Sequence, residues 1–121
     1  MKQNILIYSF IFFLLSCQND SREELLNQAS TECITTGVSY QIDITPIIST
    51  NCFICHKGNQ ASGGINLEGY ENIKLQAKNG KLYGTIAHLN GFKPMPKNGN
   101  KLSDCEINKI KIWIDSGTPN N

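Results

Sequence analysis

The sequence predicts a small all-α domain. Two stretches repeat apolar residues at helical spacing. Tyr70, Ile73 and Ala77 share one face of the segment 70–79, and Ile107, Ile110 and Ile114 recur at i, i+3 and i+7. No period-two alternation surrounds a third feature, the pentapeptide Cys52-Phe53-Ile54-Cys55-His56. A chain of 121 residues allows one domain. Its hydrophobic content of 40% is inflated by the first fifteen residues, so a folded part of about 80 residues has a thin core of its own. Net charge is +1 with no run of like charge, which argues against nucleic acid as a partner.

The pentapeptide is C-x-x-C-H, the attachment sequence of a c-type haem. Two thiols three positions apart on a helical turn can each add across one of the two haem vinyl groups. The imidazole that follows, His56, is then held as the proximal iron ligand. A buried haem also gives a thin core something large and apolar to pack around. Zinc or dithiol chemistry is the lesser alternative. A zinc ribbon needs a second close ligand pair, whereas Cys33, His88 and Cys105 are scattered singly. A thioredoxin-like dithiol sits in a βαβ pattern.

Upstream, Lys2 precedes an eleven-residue apolar run, Ile5 to Leu15, too short to span a bilayer but suited to the h-region of a signal peptide. The run ends in Leu14-Leu15-Ser16-Cys17, which resembles a bacterial lipobox. Residues 1–16 are therefore expected to be a lipoprotein signal peptide and Cys17 the lipidated first residue, with secretory cleavage beside an incidental Cys as the alternative. Residues 17–39 are polar and read as a tether. The stretch 18–39 reaches about 70 Å when extended. The haem domain is expected at 40–121. The acidic residues Asp20, Glu23, Glu24, Glu32 and Asp43 make the head of the mature chain acidic, and nine Lys from Lys57 onward make its body mildly basic.

Within the domain, Thr45 is the expected N-cap and Pro46 the first residue of a helix leading into Cys52. Ile42, Ile44 and Ile47 are expected core contacts. Lys57 to Gly64 reads as a loop, and Ile65 and Leu67 as apolar contacts for the haem or core. Asn79-Gly80 stops the helix over 70–79. Leu82, Tyr83, Ile86 and Leu89 suggest a second short helix closed by Asn90-Gly91. Ser103-Asp104-Cys105-Glu106 is a capping box that opens the last helix. Gly117 and Pro119 close that helix. Its apolar face, with Trp113 beside it, is expected to pack on the first helix and on one edge of the haem.

Once Met1 leaves with the signal peptide, Met95 is the only Met, set between Pro94 and Pro96. Two prolines stiffen the backbone, so a thioether there is held in place at little ordering cost. Met95 is the expected distal iron ligand, with His88 as the competitor.

Together, Cys52-Phe53-Ile54-Cys55-His56, Lys93-Pro94-Met95-Pro96, and Leu102-Ser103-Asp104 through Trp113-Ile114-Asp115-Ser116-Gly117 resemble the class I cytochrome c family. In particular they resemble small bacterial lipoprotein cytochromes. The resemblance covers about residues 40–121. It implies a compact helical fold around one haem c on Cys52 and Cys55, with His56 and Met95 as axial ligands. Two cysteines depart from that pattern. With Cys17 on lipid and Cys52 and Cys55 on haem, Cys33 and Cys105 remain in an oxidising compartment and are expected to pair, two unpaired thiols being the alternative.

The function expected is one-electron transfer by a monomeric, exported, lipid-anchored carrier facing the periplasm or cell exterior. Lys93, Lys97 and Lys101 would steer acidic redox proteins toward it. The alternatives are a haem enzyme or gas sensor with an open sixth position, and a haem module of a larger redox complex.

Overall fold

The structure, a computed structural model, describes residues 32–121. Cys17, the signal segment and most of the tether lie outside the described residues. The chain divides into two compact units, Met1–Cys33 and Ile34–Asn121. The second starts six residues before the boundary expected at Tyr40 and takes in Val38, which is buried. Its described residues form four α-helices and no strand.

A π-helical turn, Tyr40–Ile44, runs without a break into α1, Thr45–His56. The sequence places the helix start at Thr45, but the chain is already coiled five residues earlier. Ser39 is the cap: its side chain accepts from the Ile42 amide, while its own amide donates to Asp43 Oδ2. Thr45 is interior, and both its amide and its hydroxyl donate to the Tyr40 carbonyl. The wider turn gives Pro46 its place. In a regular helix the ring would crowd the carbonyl four residues back. A π turn closes its bonds over five residues and loosens that contact.

Ile44, Ile47 and Ile48 are buried on one face of the coil. Ile42 is 79% exposed and is not a core contact. It stands two residues before Ile44, which in a helix turns it to the opposite side.

The 3₁₀ turn Ser62–Gly64 interrupts the loop after α1. α2, Tyr70–Lys78, buries Ile73 and Ala77. α3, Lys81–Ile86, buries Leu82, Gly84 and Ile86. It ends a turn earlier than the apolar spacing suggests: His88 takes a left-handed φ of 58°, and Leu89 is exposed. α4, Asp104–Asp115, opens with the capping box read from the sequence, Ser103 and Glu106 bonding reciprocally. It buries Ile107, Ile110 and Trp113, while Ile114 is only partly buried.

The two ends of this unit are fastened together. Asn121 accepts from the Tyr40 amide through its side chain, and from the Gln41 amide and Ser39 hydroxyl through its carbonyl. Trp113, fully buried, donates from its indole to the Pro119 carbonyl. Its ring lies 5.7 Å from that of Tyr40, which meets Tyr70 edge-on at 5.0 Å. Lys109 reaches Asp43 at 2.8 Å. Packing outweighs that ion pair. Each buried Ile in the cluster contributes about 1.5–3 kcal/mol, against about 1 kcal/mol for a single partly buried ion pair.

Candidate functional site

α1 carries the pentapeptide on its last two turns. Cys52 is half-buried and packs against the core, and His56 is the helix's last residue. Ile54 points outward, 92% exposed, and Cys55 is exposed too.

The chain after α1 folds back along His56. The Leu67 amide donates to the His56 carbonyl at 2.7 Å, and the His56 Nδ1 lies 3.0 Å from the Ile65 carbonyl oxygen. A carbonyl can only accept, so Nδ1 carries the proton and the lone pair of the neutral ring is on Nε2. This is how an imidazole is prepared to ligate a metal through Nε2. Lys57 and Glu68 close the same loop across 3.5 Å at the surface.

His56 and Cys52 line a partly open cavity of about 80 Å³ with Ile65, Leu67, Leu82 and Ile86, and Met95 lines it too. Almost all of the lining surface is apolar, with His56, Gln76, Lys81 and Thr85 as the polar residues among those that form it. The structure thus brings together three of the four haem-binding residues named from the sequence. Cys55 is not among the lining residues. Nor is any residue of α4, whose apolar face was expected against an edge of the haem. Ile107, Ile110 and Trp113 are spent instead on the core that joins the two ends of the unit.

Met95 is fixed through its backbone. Its amide donates to the Thr85 carbonyl in the last turn of α3 at 3.1 Å. Its carbonyl accepts from His88 Nε2 at 3.0 Å. His88 is exposed and does not line the cavity. Phe92 lies over Gly84 so closely that a Cβ there would be 2.5 Å from the ring. Sequence reasoning missed Gly84, Phe92 and the His88 bond. A lone Gly within a short helical pattern is a signal of close packing; the His88 bond leaves no trace in the sequence.

Burial, and after it the charge of Glu106, pushes the Cys52 thiol up to about 11. Redox-active dithiols are shifted the other way. Burial also works against the Glu106 charge, but hydrogen bonds from Ser103 and Asn51 outweigh it and hold that carboxyl below its ordinary range. No cluster of three or more His, Cys, Asp or Glu occurs among the described residues, so a zinc site would lack protein donors there. One imidazole and one thioether suit a metal whose other donors come with a macrocycle.

Cys33 and Cys105 are both disulfide-bonded, and Cys52 and Cys55 are free. Lys93, Lys97 and Lys101 are exposed and form no ion pair among the described residues. Comparison with protein-family models, with curated proteins and with solved structures finds no match.

Proposed function

We propose that this chain is a monohaem c-type cytochrome of the class I kind and works as a one-electron carrier. The observation that carries the reading is that His56 and Met95 line the same apolar cavity as Cys52. Haem c, bound through Cys52 and Cys55, supplies an iron that takes up and releases one electron. The chain's own residues do the rest. His56 offers Nε2 because Nδ1 is committed to Ile65. Met95 offers a soft thioether, which favours a higher reduction potential than a second imidazole. Ile65, Leu67, Leu82 and Ile86 give the pocket apolar walls, which lower the local dielectric. With His56 and Met95 both holding the haem iron, no open position would remain for a substrate, and no side chain would be required as acid, base or nucleophile. The enzyme or gas-sensor alternative has less support, since His88, the residue it would call on, is exposed and bonded to the Met95 carbonyl.

Export is proposed with it, through the signal segment and lipidated Cys17. The disulfide-bonded Cys33 and Cys105 are compatible with an oxidising compartment. Acidic redox proteins are the proposed partners, met by Lys93, Lys97 and Lys101. Their electron-transfer rates should fall as salt rises, and rates indifferent to salt would remove that part of the proposal.

The decisive experiment compares the full-length holoprotein with its Met95→Ala variant. Mass spectrometry should find one haem covalently attached in both. The ferric wild type should show the weak long-wavelength band of thioether ligation, and its reduced form should bind CO only slowly. Met95→Ala should lose the band and bind CO rapidly. A wild type that carries haem and binds CO as fast as Met95→Ala would point to the open-site alternative.

A further inference from the structure

His88 has no part in the proposed iron ligation, yet its geometry is specific. It sits just past the end of α3 with φ of 58°, a left-handed conformation that few residues other than Gly adopt. From there Nε2–H donates to the Met95 carbonyl at 3.0 Å. The Met95 amide is held by the Thr85 carbonyl, so both backbone polar groups of this one residue are tied to the stretch 85–88. The ring is exposed, so burial does not force this bond. No other described group bonds the Met95 carbonyl.

We propose that His88 is a positioning residue: by gripping the Met95 carbonyl it keeps the thioether in the cavity and sets how often that ligand leaves the iron. The proposal rests on the cytochrome reading. A hydrogen bond of this kind is worth about 1 kcal/mol net, which is about a fivefold shift between the seated and the released loop. CO can reach the iron only while the thioether is away, so its binding rate reports that shift directly.

The test uses the full-length holoprotein as wild type, His88→Asn and His88→Gln. Asn tolerates the left-handed backbone but is too short to reach the carbonyl. The Gln amide restores a donor at about the reach of Nε2. His88→Asn is expected to bind CO about fivefold faster than wild type in the reduced state and to show a weaker long-wavelength band when ferric. His88→Gln is expected to stay near wild type. Thermal unfolding of each variant separates loss of fold from loss of grip. Wild-type CO kinetics in His88→Asn, or equal acceleration in both variants, would overturn the role of His88 and leave the cytochrome reading standing. A wild type without covalent haem would overturn both.

Discussion

Replacing Gly84 by Ala should reverse its effect on stability according to what stands at position 92. The added Cβ would lie 2.5 Å from Phe92 Cγ and 2.6 Å from each Cδ. Carbon atoms in contact sit about 3.5–4.0 Å apart, so the ring must retreat by about 1 Å. Spinning the ring does not help, because Cγ lies on the spin axis. Only a turn about the first side-chain torsion or a backbone shift relieves the clash. The backbone is tied down, Phe92 to the Leu89 carbonyl and Leu89 to that of Gly84. Overpacking of this kind costs about 1–3 kcal/mol, whereas Gly to Ala inside a helix returns at most about 1 kcal/mol. The net expectation in the wild-type background is a loss of about 1 kcal/mol, or about 4–8 °C in melting temperature for a domain this size. In a Phe92→Ala background the clash is gone, and Gly84→Ala should stabilise by about 0.5–1 kcal/mol. Four melting curves followed by far-ultraviolet circular dichroism complete the cycle. Equal stabilisation in both backgrounds would refute the claim that Phe92 packs on bare backbone.

The Lys109 hydrogen bond, then the Ser39 amide, hold the Asp43 carboxyl below its ordinary value of 3.8. Its contribution is therefore complete above that value and lost as pH falls through the lower, folded-state one. Asp43→Asn should cost about 1–2 kcal/mol in urea unfolding at pH 7 and much less near pH 2, and a pH-independent cost would contradict the assignment. Non-reducing peptide mapping should recover Cys33 linked to Cys105, and reduction should remove about 4 kcal/mol by the chain-entropy model. Recovery of either peptide unlinked would reject that pairing. Tyr70→Phe removes the 2.6 Å bond from the Tyr70 hydroxyl to the Thr118 carbonyl and should cost about 1 kcal/mol by thermal unfolding, with the ring contacts kept.

What the sequence revealed follows from how local each signal is. The Ser103–Glu106 box and the α2 face are set by residues three and four apart, so both were readable. The placement of Cys52, His56 and Met95 around one cavity was anticipated from chemistry, since each residue type in its setting implies a ligand. Pro46 does stand in the first turn of the regular helix, but a proline there says nothing of a π turn before it. Ile42 misled because an isolated Ile carries no face until its neighbours' coil is known. α3 ends at Ile86, where His88 turns left-handed and the Met95 amide takes the Thr85 carbonyl, a partner ten residues ahead. The His88 bond, across seven residues and an irregular loop, has no sequence period at all.

Leu67, Leu82 and Ile86 belong to two things at once: they are members of the buried core and they are the cavity wall. One layer of side chains thus serves both, and its inner surface gains contacts only when something apolar fills the cavity. Durability and loading then become the same property. On the proposed haem reading, a loaded chain would resist opening, and an empty one would be more readily opened and cut by proteases. The fold needs no separate device to sort finished molecules from unfinished ones, because turnover would do so.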